Sequence, residues 1–118
     1  MPDTPLTVTT HPHEAGLVLL HVAGDLDFHT AGSFRRAIED LPESRGPGVV
    51  IDLSGVTYCD STGLTMLVRA YHHTRSSGTP LVLTGPDDKL TRMLSIVGLD
   101  RLFTVFDTPE AAVAALTA

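Results

Sequence analysis

The sequence predicts an α/β fold with a mixed, mainly parallel sheet of four to five strands and about four helices. Short apolar segments that favour strands alternate with longer segments in which apolar residues recur at helical spacing. The first two strand segments are separated only by a turn, which indicates an antiparallel hairpin at one edge. The later strands are joined through helices, and such crossovers connect parallel strands.

Five strands are predicted from apolar or alternating runs. The first alternates as an edge strand does, whereas the third is β-branched and nearly continuous, as in a central strand covered on both faces. The predicted strands are residues 6–10, 17–22, 49–53, 81–84 and 102–106. Residues 1–5 are expected to fray, and residues 11–16 and 25–27 are predicted to form a turn and a loop.

Four helices are predicted from apolar stripes and terminal signals. Thr30 is the expected N-cap of the first helix, and Ser61 or Thr62 that of the second. Acidic residues begin the third helix, and a Thr-Pro pair at 108–109 opens the fourth. The core stripe of the second helix is predicted to be Leu64, Leu67, Val68 and Tyr71.

Size and composition indicate one domain, which we expect to span residues 1–118. The chain is 42% hydrophobic, enough for a core without disulfides, and its single cysteine, Cys59, is expected to be a buried structural thiol in a reducing compartment. No signal peptide is evident, and no apolar run approaches the roughly 20 residues of a membrane span. A cytoplasmic protein without membrane contact is therefore expected.

The charge pattern argues against nucleic acid as a partner. The formal net charge is -6, with eight basic residues against fourteen acidic residues. Lys89 is the only lysine, and the arginines are scattered, whereas nucleic-acid-binding surfaces concentrate positive charge. The sequence therefore favours a protein or a small molecule as partner.

The run from Tyr58 to Thr65 carries the clearest functional signal, because a buried strand gives way there to an amphipathic helix. The segment Asp-Ser-Thr-Gly at 60–63 can be explained by structure alone, since Asp, Ser and Thr cap helices and Gly permits close packing. The same place suits a phosphate, because unpaired amides and the helix dipole favour negative charge at a helix N-terminus. Residues 24–27 follow another strand, so both loops are expected at the carboxyl edge of the sheet, where sites gather in α/β folds.

A phosphate at this position is expected to act on an interface rather than on the fold. The helix dipole favours it by about 0.3–1 kcal/mol. Desolvating a charge of about -1.5 to -2 without a basic partner costs several kcal/mol, and about 1.4 kcal/mol is tenfold in affinity. One modification can therefore abolish binding while the domain stays folded.

Four segments together resemble the STAS domain, and specifically the bacterial anti-sigma factor antagonists. They are Gly24-Asp25-Leu26-Asp27, Val50-Ile51-Asp52-Leu53-Ser54, Asp60-Ser61-Thr62-Gly63-Leu64 and Ser95-Ile96-Val97-Gly98-Leu99. The likeness runs from about residue 6 to residue 116. It implies the STAS fold, in which such a mixed sheet packs with about four helices.

The resemblance implies a partner-switching function. In that family the serine after the Asp, which is Ser61 here, is phosphorylated by an anti-sigma factor that is also a serine kinase and binds the ATP. The unphosphorylated antagonist binds the anti-sigma factor and frees the sigma factor, and a metal-dependent, PP2C-type serine phosphatase removes the phosphate. Asp27 and Asp60 match acidic positions that orient the site or join the interface, and Thr62 is expected to cap the helix or contact the partner.

The expected contact surface combines the Ser61 loop, the first turns of the following helix and the acidic loop before it. Besides Ser61 it comprises Asp25, Asp27, Asp60, Thr62, Gly63, Thr65, Met66 and Arg69. Phe28 is either an apolar anchor for a partner or a core residue, and His29 lies near enough in sequence to tune the site. Thr65 stands where the family usually has a second small residue, which bears on partner recognition and on phosphorylation.

Two other functions stay open. Some STAS proteins that resemble this chain serve as cytoplasmic subunits of lipid ABC transporters, which would make a transporter ATPase the partner and Ser61 a plain helix cap. A receiver domain has a similar length, but it needs a lysine after its last strand, and Lys89 precedes that strand.

An enzyme is not expected, and neither is a cofactor or a metal. A nucleophilic Ser61 would need a nearby base, and the Gly-x-Ser-x-Gly elbow is absent. His11 and His13 flank a proline, and His72 and His73 diverge by about 100° on a helix, so neither pair converges on a metal. The sequence also lacks a Walker-type glycine-rich loop.

Overall fold

The structure, a computed structural model, describes residues 4–13, 16–41 and 46–118. A five-stranded sheet in the order β1-β2-β3-β4-β5 carries helices on both faces. The strands are β1 (Thr7–Pro12), β2 (Val18–Leu26), β3 (Val49–Cys59), β4 (Leu81–Thr84) and β5 (Val105–Phe106). The helices are α1 (Ala31–Glu39), α2 (Ser61–Arg75), α3 (Asp88–Ile96) and α4 (Pro109–Leu116), with a short 3-10 helix at Leu99–Arg101.

The strand pairing confirms the predicted mixed sheet. β1 is antiparallel to β2, and β2 to β5 are parallel neighbours. β1 ends later than predicted, because His11 and Pro12 still pair with β2 where a turn was expected. Residues 14–15 of that predicted turn lie outside the described residues.

β2 and β3 run further than their apolar patterns indicate. β2 continues past Gly24 to Leu26, where it pairs with Cys59 at the end of β3. Both strands therefore end together, beyond the last pair between β3 and β4. The prediction of a loop at 25–27 is wrong for its first two residues.

The burial of Asp25 explains why the loop prediction fails. Asp25 is only 2% exposed, and its carboxylate accepts hydrogen bonds from the Thr57 hydroxyl (2.8 Å) and the Thr4 amide (2.9 Å). Because these bonds satisfy the buried carboxyl group, an acidic residue fits inside the strand pair. Thr4 thereby contacts β2. Residues 1–3 lie outside the described part of the chain, and the fraying of residues 1–5 stays a prediction.

The sheet has an apolar core on each face. The larger core lies between the sheet and α1, α2 and α3, and the smaller core lies beneath α4. The predicted stripe of α2 is confirmed for Leu64 and Leu67, which are buried, whereas Val68 and Tyr71 are only partly buried. Ala70 lies on the buried face as well, and a small side chain gives little signal in an apolar stripe.

The last strand is much shorter than the predicted segment 102–106. The amides of Leu102 and Phe103 donate to the Leu99 carbonyl, so the chain is still turning there. Phe103 is buried in the larger core. Its apolar character therefore reflects packing and not a strand.

Both α1 and α4 begin directly after their predicted N-cap residues, Thr30 and Thr108, but only Thr108 makes a side-chain cap bond. The Thr108 hydroxyl accepts a hydrogen bond from the Ala111 amide, and Pro109 begins α4, as predicted. The Thr30 side chain makes no cap bond in α1. The longest helix, α2, has 15 residues, and in the described residues no helix combines the length and the apolar character that a membrane span requires.

Candidate functional site

The carboxyl ends of β2 and β3 bring two polar loops together. Because Leu26 pairs with Cys59, residues 27–30 and the start of α2 leave the sheet side by side. The Asp60 amide donates to the Leu26 carbonyl (3.3 Å), and the Asp60 carboxylate accepts from the Phe28 amide (3.3 Å). The predicted meeting of the two loops at this edge is therefore confirmed.

Asp60 is the N-cap of α2, where Ser61 or Thr62 was expected. Its backbone is extended, and its carboxylate accepts a hydrogen bond from the Gly63 amide (2.9 Å). Through its other oxygen, which accepts from Phe28, Asp60 also ties the preceding loop to the helix. Asp, Ser and Thr are all good caps, so only the backbone conformation decides which of them leads. The side chains of Ser61 and Thr62 are not needed for capping.

Gly63 permits the close approach of α2 to the end of β2. A β-carbon at this position would collide with the Leu26 carbonyl oxygen and lie 2.7 Å from the Cys59 sulfur. Because the first of these is backbone, a side chain fits only if α2 moves. Gly63 is buried and acts by positioning the start of the helix.

Ser61 stands exposed at the N-terminus of α2. Its hydroxyl has no hydrogen-bond partner among the described residues, while its carbonyl accepts the Thr65 hydroxyl (3.0 Å). The first helical bond joins the Leu64 amide to the Asp60 carbonyl, so the amides of Ser61 and Thr62 have no intrahelical acceptor. The geometry offers an accessible hydroxyl beside the positive end of a helix.

Asp27 shapes the loop before α1. It is 7% exposed, and one carboxylate oxygen accepts from the amides of His29 (2.9 Å) and Thr30 (3.2 Å). The Thr30 hydroxyl donates to the Asp25 carbonyl (2.8 Å) instead of capping α1. The Asp27 carboxylate thus holds the backbone of its own loop, and its expected role beside the phosphorylation site stays a prediction. Asp25 was expected at the contact surface, but its carboxylate is buried between β2 and β3, which corrects that expectation.

Phe28 is 72% exposed, so the alternative of a core role is wrong. Its ring lies edge-to-face against His29, with ring centroids 5.7 Å apart. Because the Phe28 amide donates to Asp60, the ring is carried by an anchored segment next to the start of α2. An exposed aromatic side chain held in this way is a suitable anchor for a partner.

The remaining predicted residues of α2 line two different grooves. Thr65 and Ser61 line a groove of about 330 Å³ between α2 and the turn after α3, called here the Ser61 groove. Met66 and Arg69 line a groove of about 370 Å³ between α2 and α1, called here the basic groove. The structure divides the predicted surface in this way because successive helical positions diverge by about 100°.

The Ser61 groove includes apolar side chains that the sequence did not single out as functional. Its lining residues are Ser61, Leu64, Thr65, Val68, Val97 and Leu99. Val97 is 55% exposed, and its neighbour Ile96 is 75% exposed. The pattern at 96–99 indicates a helix stop. The only sign of a surface role in the sequence is that Ile96 and Val97 are apolar although they come after Leu94, the last buried position of α3.

Cys59 is a buried thiol beneath the start of α2, which confirms the structural role predicted for it. Its Sγ–H donates to the Asp60 carbonyl (3.5 Å). Burial raises the pKa of Cys59 to about 12, and the carboxylates of Asp60, Asp27 and Asp87 add to that rise. The thiol is therefore unreactive at neutral pH.

A second polar cluster lies on the opposite face of the sheet. His21 and Asp52 lie on neighbouring strands, and the His21 Nδ1 is within hydrogen-bond distance (3.0 Å) of the Asp52 carboxylate. Burial alone would raise the pKa of Asp52, but hydrogen bonds from the Ser54 amide and from His21 outweigh it and hold the pKa below its usual range. Asp52 follows Val50 by two positions, and Val50 packs beneath α4. The cluster is therefore separate from the Ser61 site, and within the described ranges no three His, Cys, Asp or Glu side chains are placed to hold a metal ion.

The STAS domain profile matches residues 7–112, a range that includes all five strands of the described sheet. The chain belongs to the STAS domain family. The family and the fold expected from the four sequence segments are thereby confirmed.

Three proteins similar to this STAS domain are named as anti-sigma factor antagonists. The chain is 37% identical to the anti-sigma-B factor antagonist of Listeria monocytogenes over 86 residues, which cover 73% of this chain and 75% of the relative. It is 30% identical to the anti-sigma-F factor antagonist RsfB of Mycobacterium tuberculosis over 107 residues, 91% of this chain and 85% of the relative. The crystal structure of an anti-sigma factor antagonist from Mycobacterium paratuberculosis, 30% identical, has a TM-score of 0.79 and is covered over 95% of its length by 96% of this chain.

Proposed function

We propose that this STAS domain is an anti-sigma factor antagonist that acts by reversible docking and not by catalysis. One arrangement carries the proposal: an exposed, unpaired Ser61 hydroxyl opens onto an apolar groove at the N-terminus of α2. Relatives 30% and 37% identical are named as antagonists, which supports the same class of partner for this chain.

The surface around Ser61 suits a protein partner. Val97 and Ile96 offer exposed apolar area beside the groove, and Phe28 on the neighbouring loop adds an aromatic side chain. Covering such groups contributes roughly 25 cal/mol for each Å² of apolar surface removed from water. In its unphosphorylated form the domain binds the anti-sigma factor here, and the anti-sigma factor then releases its sigma factor.

A phosphate on Ser61 opposes that docking. The Ser61 groove has no basic lining residue among the described residues, and Asp60 carries a carboxylate next to the site. The free amides of α2 stabilise the phosphate by only about 0.3–1 kcal/mol. A partner that covers the phosphate must remove its water at a cost of several kcal/mol. Phosphorylation therefore switches binding off while the fold stays intact.

The chemistry is divided among three proteins. This chain has no Walker-type loop, so ATP and the serine-kinase activity belong to the anti-sigma factor. A PP2C-type serine phosphatase restores the hydroxyl. Because sigma factors act on transcription, the exchange takes place in the cytoplasm, and this chain itself contacts no nucleic acid.

Binding of purified Ser61 variants to the anti-sigma factor kinase of the same organism tests the proposal. We expect wild type and Ser61→Ala to bind alike, and Ser61→Glu to bind about a hundredfold more weakly. Ser76→Glu is a matched control, because Ser76 is an exposed serine at the other end of α2, about 22 Å away. After incubation with kinase and ATP, mass spectrometry should place the phosphate on Ser61.

Two outcomes would contradict this function. Equal binding by Ser61→Glu and wild type would show that negative charge at Ser61 does not control binding. Capture of a transporter ATPase from host extract by wild type, Ser61→Ala and Ser61→Glu alike, without an anti-sigma factor, would make the protein a lipid-transporter subunit and Ser61 a structural residue.

A further inference from the structure

The basic groove lies between α1 and α2, on the other side of α2 from Ser61. Its volume is about 370 Å³, and it shares no lining residue with the Ser61 groove. Met66 and Arg69, which were expected on the contact surface around Ser61, line this groove instead.

Basic side chains meet in this groove from both walls. Arg35 comes from α1, and Arg69 comes from α2. His72 and His73 extend the rim along α2, and Glu39 is the only acidic residue among the described lining residues. Within the described part of the chain, neither guanidinium has an ion-pair or hydrogen-bond partner. With two arginines against one glutamate, the lining is net positive in a chain of net charge -6.

Apolar side chains form the floor of the basic groove. Phe34, Ile38 and Ala70 belong to the larger core, and Met66 packs against it. Methionine is flexible and adapts to the shape of a partner. The groove is an open cleft between two helices and not an enclosed cavity. Such a cleft accepts the apolar face of a helix, whereas small ligands are mostly enclosed by their sites.

The dimensions of the groove fit about two turns of helix. From Met66 to His73, α2 advances by about 10 Å at 1.5 Å per residue. Apolar anchors at positions i, i+3, i+4 and i+7 of a bound helix span the same distance. Carboxylates beside those anchors would meet Arg35 and Arg69 on opposite walls, and arginine–carboxylate pairs are strong when bidentate.

We propose that the basic groove is a second docking surface, which binds an acidic amphipathic helix of a partner protein independently of Ser61. Because Thr65 and Met66 line grooves on different sides of α2, the domain can hold one partner on each side. This binding activity goes beyond the antagonist function.

Titration of the isotope-labelled full chain with designed peptides, followed by NMR, tests the proposal. The acidic probe is a helical peptide with leucine at i, i+3, i+4 and i+7 and glutamate on the flanking positions, and its matched control carries lysine in place of glutamate. We expect amide shifts centred on residues 35–39 and 66–73 with the acidic probe only. The double variant Arg35→Glu/Arg69→Glu should raise the Kd about a hundredfold.

Two single variants act as controls for that loss of binding. Arg92→Glu reverses the charge of an exposed arginine on α3 outside the groove, and it should leave the Kd unchanged. Ser61→Glu should also leave it unchanged, because Ser61 is not among the residues that line the basic groove. Failure of the peptide to bind is then distinguishable from failure of docking at Ser61, which is measured with the anti-sigma factor.

Several results would overturn the proposal. They are equal binding of the lysine peptide, shifts centred on residues 61, 65 and 97, and absence of shifts with the acidic peptide at millimolar concentration. Shifts in the groove with dodecanoate but not with the acidic peptide would overturn it in favour of a small amphiphilic anion.

Discussion

The two grooves beside α2 differ in the charge of their walls. The Ser61 groove is apolar, with a hydroxyl and no basic side chain among its described lining residues, whereas the basic groove carries two unpaired arginines. A phosphate added to the first groove meets no cation, whereas a carboxylate entering the second meets Arg35 and Arg69. Negative charge is therefore expected to weaken binding at the Ser61 groove and to strengthen binding at the basic groove.

This difference shows that function belongs to a helix face and not to a stretch of sequence. Thr65 and Met66 are neighbours in the chain but line different grooves. Charge at one residue is therefore expected to affect the binding on its own side of α2 and to leave the other side unchanged.

The largest loss of stability is expected from Gly63→Val, because this substitution displaces α2, the helix that both grooves share. The new side chain collides with the Leu26 carbonyl. We expect the free energy of unfolding, measured in urea, to fall by about 4 kcal/mol or more. Gly32→Ala is the matched control: nothing lies within 4 Å of its added β-carbon, so it should stabilise α1 by about 0.5–1 kcal/mol. Wild-type stability of Gly63→Val would show that this close approach does not hold α2 in place.

Cys59 reports whether the start of α2 stays closed over β3. A pKa of about 12 instead of 9.0 lowers the thiolate fraction at pH 8 about a thousandfold. We expect the native thiol to react with DTNB at least about a thousandfold more slowly than the urea-unfolded thiol. Since the pKa is raised, the native rate should increase as the pH rises. Similar rates in both states would contradict the burial of Cys59.

Asp60→Ala should loosen the Ser61 side of α2 alone. It removes the helix cap and the bond to the Phe28 amide, so we expect a loss of about 2 kcal/mol in the free energy of unfolding. Asp87→Ala is the matched control, because Asp87 caps α3 through the Leu90 amide, and its loss should be about 1 kcal/mol. Equal losses for the two variants would mean that the tie to Phe28 adds no stability.

Val97→Glu and Arg35→Glu test the division of the two sides in binding. A glutamate at residue 97 puts negative charge into the Ser61 groove, so we expect the affinity for the anti-sigma factor, measured by calorimetry, to fall about tenfold. Arg35→Glu should leave that affinity unchanged, because Arg35 lines the other groove. The reverse pattern would move the antagonist surface to the basic groove.

The smallest effect on binding at either groove is expected from Asp52→Asn, because Asp52 lies on the opposite face of the sheet. The pKa of Asp52 is below its ordinary value of 3.8, so the ionised carboxylate stabilises the fold above that pH, and this contribution is lost as the pH falls through the lowered pKa. The variant should therefore be less stable than wild type at neutral pH, and the gap should narrow in acid. Urea unfolding at a series of pH values measures this difference in the free energy of unfolding. A difference that widens in acid would show that the ionised Asp52 carboxylate does not stabilise the fold.

The sequence predicted a structural feature correctly where the contact that decides it lies within about one turn of chain. The Thr108 cap with Pro109 was predicted, because the bond to the Ala111 amide lies within one turn. The cap of α2 was assigned to the wrong residue, because Asp60, Ser61 and Thr62 all suit a cap and only the backbone conformation, which the local sequence does not fix, decides among them. Asp25 was taken for a loop residue, because its partner Thr57 lies on another strand.

By itself the sequence determined the α/β class and the edge hairpin, because apolar periodicity and terminal signals act within one or two turns of chain. The prediction of a switch at Ser61 came from the resemblance to the STAS antagonists. Only the tertiary structure decided which side chains share a surface. The register of β2 against β3 buried Asp25 and left Phe28 exposed, and helix packing brought Val97 to Ser61 and Arg35 to Arg69. Those contacts join segments far apart in the chain, and no local pattern specifies them.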